Sequence, residues 1–194
     1  NKPSVAIIGC RDASDYGKKV AFNFAYELAK EGFVVISGLA RGIDTYAHLG
    51  AVKAGGKTIA VLGSGLKHIY PSENKKLCNE IVKNSGAIIT EYEPHTKPLP
   101  MNFPSRNRII SGLSNGVLVV EAKQKSGTLI TVDYALEQGK DVFVIPGNIT
   151  SINSYGTNEL IKQGAKLVTN TKEIIEEIIK WKFMVTIGNL LIMW

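Results

Sequence analysis

Cysteine is scarce in this sequence: among 194 residues only Cys10 and Cys78 occur. Two are too few for a disulfide framework and fit buried thiols in a reducing compartment. No charged, apolar, small-residue leader pattern opens the chain, which makes the cytoplasm the expected setting. Long apolar runs are missing as well. The longest are strand-sized, well short of the roughly 20 residues that cross a bilayer, so a soluble protein with no membrane partner is expected. Histidine is equally sparse, and His48, His68 and His95 stand apart with no Cys or His at ligand spacing, so no metal is expected. Familiar nucleotide signatures are absent too. GSGLKH (63–68) carries histidine where the third glycine of a dinucleotide fingerprint belongs, no GxxxxGKS or GxxxxGKT occurs, and no GxSxG elbow offers a nucleophile. No cofactor is expected.

What is present reads as one folded domain with a basic edge. Hydrophobic residues make up 44% of the chain, enough for a core, and the formal net charge is +6. That basicity permits a polyanionic partner without requiring one, so position must decide. The four arginines, Arg11, Arg41, Arg106 and Arg108, fall just after predicted strands or at helix starts. The lysines are spread more evenly, as on an ordinary solvated surface.

Short β-branched runs alternate with segments of helical period. VAIIG (Val5 to Gly9) precedes a helix near Tyr16 to Glu31, whose Val20, Ala21, Phe24, Ala25, Leu28 and Ala29 form one apolar stripe. FVVIS, TIAVLG, AIIT, GVLVVEA and DVFVIPG follow in turn, each leading into a loop and a further helical segment, and KLV and a helix near Thr171 to Lys180 close the series. The strands are continuously apolar, so both sheet faces are covered. With right-handed crossovers this predicts an α/β fold: a doubly wound, mostly parallel sheet with helices on both faces, extended Rossmann-like, forming a single domain over 1–180.

In such sheets ligands sit beyond the carboxyl ends of the strands. The loops predicted there read GCRDAS, SGLARG, LGSGLKHIYPSEN, a proline-containing segment ending FPSRNR, EAKQKSGT and IPGNITS. Glycine lets backbone approach a ligand closely, and Ser or Thr near a helix start either caps it or meets an anion. Ser126 has a cap's job available. Several such loops on one edge, carrying all four arginines, suit a phosphate chain.

In order along the chain, SGLARGID, TIAVLGSGL with YP and N after it, FPSRNRIISGLS, VVEAKQKSGTLIT, VFVIPG and GTNELIKQGAKLV resemble the DNA-processing protein A family, also called Smf, from about Val5 to Val168. The resemblance implies a Rossmann-like domain that binds single-stranded DNA without being an enzyme, dimerises, and helps load a RecA-type recombinase during natural transformation. The small helical and winged-helix domains of many members have no room in these residues, so a near-minimal core is expected. The first loop departs from the family in reading GCR where small residues are usual.

Carried onto this sequence, the resemblance implies that Arg41 meets the DNA backbone in a basic pocket and that Lys75 supplies a second basic contact. Backbone amides of Gly63, Ser64 and Gly65 can donate to oxygens or bases between them. Gly38, Leu66, Lys67, Arg11, Asn107, Gly127 and Thr128, with Ser126, complete the DNA-binding candidates. Arg41 has a structural alternative, a pairing with Asp44 or Asp133. Arg106 and Arg108 either meet the strand or brace loops through carboxylates such as Glu91 or Glu121. Tyr70, Tyr92 and Phe103 are the aromatics available for stacking, with His68 a further candidate, so backbone contact is expected to dominate.

An enzyme is the rival reading. SGTLITVD looks like a shifted version of the PGGxGTxxE element of the lysine-decarboxylase-like phosphoribohydrolases, but it lacks the paired glycines and offers only Asp133 as the acid. A noncatalytic nucleotide carrier is the other alternative. For assembly, Leu160 and Ile161 stand side by side on a short predicted helix, which is expected to turn one of them outward into a homodimer contact near Gly156 to Gln163. The apolar stretch WKFMVTIGNLLIMW at 181–194 fits none of these motifs and its role is unknown.

Overall fold

In the computed structural model the described residues are 2–180, so the apolar stretch at 181–194 lies outside them. Seven strands form one sheet. β1 (Ser4–Ile8), β2 (Val34–Ser37), β3 (Thr58–Val61), β4 (Ala87–Ile89), β5 (Gly116–Val119), β6 (Asp141–Val144) and β7 (Lys166–Leu167) lie in the order β4-β3-β2-β1-β5-β6-β7. Every neighbouring pair is parallel, so the expectation of a mostly parallel, doubly wound sheet is met.

Alternation along each strand feeds two cores. Val5 and Ile7 of β1 face one side, where α1 (Asp15–Lys30) and α2 (Ile43–Lys53) bury Ala21, Phe24, Ala25, Leu28, Ile43, Ala47 and Ala51. A helical segment over 171–180 adds Ile174 and Ile178 to the same cluster. Ala6 and Ile8 face the other side, against Ile110 of α4 (Asn102–Gly112), Val132 and Ala135 of α5 (Gly127–Glu137) and Leu160 of α6 (Tyr155–Lys162). A third cluster joins β3 to α3 (Lys75–Lys83) through Ala60, Leu62, Leu77 and Ile81. Covering both faces is what permits unbroken apolar strands. The α1 stripe read from the sequence is the buried one, and its helix starts at Ser14, whose hydroxyl accepts from the Gly17 amide at 3.1 Å.

Of the two residues offered for a homodimer contact, Leu160 is corrected here. Leu160 is 8% exposed and sits inside the second core, while the adjacent Ile161 is half-buried against that same core. The cause is the close seating of α6. The Gly156 amide donates to the Ala122 carbonyl at 2.7 Å, and a side chain at 156 would collide with the β5 loop. Drawn in this tightly, the helix sends Leu160 into the core and rests Ile161 against it, so Leu160 is no surface for a second copy. No described helix is long and apolar enough to cross a membrane.

Candidate nucleic-acid interface

The sheet order reverses at β1, which has β2 on one side and β5 on the other. Loops leaving neighbouring strands there diverge to opposite faces and leave a crevice. It is a cleft of about 600 Å³, bounded by the β1 loop (Cys10, Arg11, Asp12), the start of α4 (Phe103, Asn107) and the β5 loop with the first turn of α5 (Lys123, Lys125, Ser126, Gly127, Thr128).

The wall of this cleft is held by buried charges. Arg106 is 4% exposed, and its Nη1 donates to the carbonyls of Gly38, at 2.9 Å, and of Val61. Asp44, on the first turn of α2, accepts from the amides of Gly38 at 3.0 Å and Ala40 at 3.3 Å. Burial raises the pKa of Asp44 and lowers that of Arg106 to about 10, each opposed by the charge of the other. The pair ties the carboxyl ends of β2 and β3 to α4. Gly38 stands in the middle, where a β-carbon would lie 2.6 Å from the Arg106 guanidinium.

Several residues expected to touch DNA are therefore part of the wall. Arg106 braces loops, and both polar backbone atoms of Gly38 are used internally. Ser64 is 1% exposed with its hydroxyl donating to the His68 carbonyl at 2.6 Å, and the Gly65 amide donates to Thr96 at 2.9 Å. Gly63 is packed beneath the Phe103 ring. The β3 loop folds onto the 90–101 connection, where the amides of Gly65 and Lys67 meet the carbonyls of Thr96 and Pro94. Thr128 is also buried, and Ser126 caps α5 by accepting from its amide at 3.2 Å.

The rim is different. The exposed Arg11 guanidinium lies 5.3 Å from the centre of the Phe103 ring, and Tyr70 packs on the other aromatic at a centroid separation of 5.6 Å. Arg41 is exposed and paired with Glu73, Nε to Oε1 at 2.9 Å and Nη2 to Oε2 at 3.0 Å; neither Asp44 nor Asp133 is its partner. Lys67 approaches His95 at 3.1 Å, Lys123 pairs with Asp12 at 3.4 Å, and Leu66, Lys75 and Lys125 are exposed. Arg108 pairs with Glu91, one of the two braces foreseen for it. Asn107 is half-buried, with its Oδ1 accepting from Arg106 at 3.3 Å. The Tyr92 hydroxyl donates to the Asn102 carbonyl at 3.3 Å, under its own loop.

Sequence reasoning missed Lys123, Lys125 and the wall residue Asp44 as parts of this edge, although EAKQKSGT and ARGID displayed all three. Glu121, offered from the sequence as a brace for Arg106 or Arg108, is 2% exposed and instead anchors the β1 loop by accepting from the Ser14 amide at 3.0 Å and from its hydroxyl. Cys10 and Cys78 are buried, and burial pushes both thiols up, Cys78 to about 11. No group of three or more His, Cys, Asp or Glu side chains among the described residues could hold a metal ion.

A cleft with this basic, aromatic rim invites comparison with known proteins. The family described as DNA recombination-mediator protein A matches residues 1–179. The chain belongs to that family. It is 45% identical over 174 residues to the DNA processing protein DprA of Bacillus subtilis, a match covering 90% of this chain and 58% of that protein. It thus spans somewhat more than half the length of this curated relative. The solved DNA processing protein A of Streptococcus pneumoniae superposes with a TM-score of 0.84 at 47% identity, covering 91% of this chain and 62% of that one. A second solved member, from Helicobacter pylori, gives 0.82 at 36% identity, covers 92% of this chain and 80% of its own, and is described for its single-stranded DNA binding mode.

Proposed function

We propose that this chain binds single-stranded DNA across the carboxyl edge of its sheet, without catalysis, and that it acts in the cytoplasm with a RecA-type recombinase as the partner that receives the strand. The observation that carries the reading is Arg11 lying over Phe103 at the mouth of the 600 Å³ cleft. A guanidinium stacked on a ring offers a cation for a phosphate and leaves the ring edge and neighbouring Tyr70 for an unpaired base. Lys123, Lys125 and the start of α5 extend the phosphate track on one side; Arg41, Lys67 and Lys75 extend it on the other. Duplex DNA keeps its bases stacked inside, so the cleft favours single strands. The membership in a recombination-mediator family and the description of the Helicobacter pylori member support the same reading.

The hydrolase alternative is not favoured. Asp133, the acid it requires, is exposed on α5 and does not line the cleft. Fluorescence anisotropy with labelled oligothymidylate and a duplex of equal length tests the reading. Arg11→Ala, with an unchanged melting temperature, and Phe103→Ala are expected to weaken single-strand binding by about 1 to 3 kcal/mol each. Equal affinity for duplex, or variants that bind as the parent does, would overturn it. A homodimer accompanies this proposal. With Leu160 in the core its α6 contact rests on Ile161, and sedimentation of Ile161→Glu as a folded monomer is the expected outcome.

A further inference from the structure

The Arg41 fork is occupied. Its Nε and Nη2, the two donors that would grip a phosphate side-on, are taken by both carboxylate oxygens of Glu73 at 2.9 and 3.0 Å. Both side chains are 55% exposed, so the pair stands on the rim, reachable by an incoming strand. Glu73 reaches this position from the short 3-10 turn Ser72–Asn74, which Asn74 pins by donating to the Leu39 carbonyl at 2.9 Å and to the Thr45 hydroxyl at 2.9 Å. The carboxylate is thus delivered by a fixed turn of one loop onto the arginine of another. Glu73 itself accepts from no protein donor other than Arg41 among the bonds of the described residues.

We propose that Glu73 is a built-in competitor for Arg41 that sets the affinity and length selectivity of the site, accepting displacement by a strand of linked phosphates and resisting a single anion. The proposal rests on the reading that Arg41 is a DNA contact. The physical basis is mass action. A lone phosphate must displace a carboxylate that is always present at short range, and an exposed bidentate pair resists it modestly. A strand already held at Arg11 and Lys123 presents its next phosphate at high effective concentration, and the exchange then runs in its favour. Displaced, Glu73 gathers a cation from solution and subtracts from the counterion release that drives binding.

A double-mutant cycle tests this. Glu73→Gln is expected to tighten binding of oligothymidylate about three- to fivefold at low salt, with a steeper salt dependence and an unchanged melting temperature. Short oligomers should gain more than long ones, and inorganic phosphate should compete better against the variant than against the parent. In an Arg41→Ala background the same substitution is expected to change affinity by less than about 1.5-fold. Weaker binding by Glu73→Gln, rescued by Glu73→Asp, would show that Glu73 positions Arg41 instead. An equal gain with and without Arg41 would reduce the effect to general charge, and either result overturns the proposal. Loss of all binding in the parent protein would instead remove the single-strand reading, and this inference with it; an Arg41→Ala variant that binds as the parent does would remove Arg41 alone.

Discussion

The wall and the rim of the cleft use the same residue types to opposite ends. Arg106 lies buried between Asp44, Gly38 and Val61, and its charge is spent inside the protein. Arg11 and Arg41 are exposed and meet only side chains that a ligand can share or replace. Depth separates the two regions, since desolvation fixes a buried charge to its partners while an exposed one exchanges them at small cost. A count of arginines on a loop edge therefore overstates the ligand-facing charge, and a buried carboxylate is the sign of which arginine to discount.

Arg106→Met gives the largest expected effect. It strands Asp44 without its counter-charge and should lower unfolding stability by about 3 to 5 kcal/mol in denaturant titration; a loss below about 1 kcal/mol would break the distinction between wall and rim.

Acid should find the wall next. His48, one turn beyond Asp44 on α2, is fully buried, and burial lowers its pKa to about 3, helped by the nearby Arg106 charge. Thr58 donates its hydroxyl to Val35 at 2.7 Å, so its oxygen accepts from His48 Nδ1 at 2.7 Å, and Nε2 is left buried without a partner. A histidine whose folded pKa lies below its unfolded value binds protons mainly when unfolded, so stability falls as pH drops beneath about 6.5 and goes on falling toward 3. Between roughly pH 7 and pH 5 the loss should approach about 2 kcal/mol, and His48→Gln should flatten that slope.

The rim should respond in binding, not stability. Arg41→Ala is expected to weaken single-strand affinity by about 1 kcal/mol and to lower the salt slope by about 0.7, with melting unchanged. An unfolding effect as large as that of Arg106→Met would erase the comparison. Smallest of all, Lys75→Ala should cost less than about 0.5 kcal/mol of binding, as for an exposed cation on α3, and a larger loss would draw α3 into the interface.

Much of the fold was legible because both signals are local. Runs such as VAIIG and GVLVVEA declare strands covered on both faces, and the spacing of Ala21, Phe24, Ala25 and Leu28 declares the buried side of α1. The edge of the sheet that would carry the loops was legible for the same reason. What was hidden was long-range pairing. Nothing near Arg106 in sequence announces Asp44, nothing near Arg41 announces Glu73, and the stacking of Phe103 under Arg11 joins α4 to the β1 loop. The β3 glycines misled because a flexible loop reads alike whether its amides face a ligand or, as with Gly65, another loop. Leu160 misled because helix length does not reveal how closely a helix sits on the sheet.

Gly42 has a positive φ of 71°, and a side chain there would run into the carbonyl of Cys10. The same carbonyl accepts the Ile43 amide at 3.2 Å, stitching the β2 loop to the β1 loop. Arg11 and Arg41 thereby ride on one rigid piece, and the interval between them works as a ruler. On the reading proposed above, a strand bridging both has to stretch or coil until its phosphates match the marks.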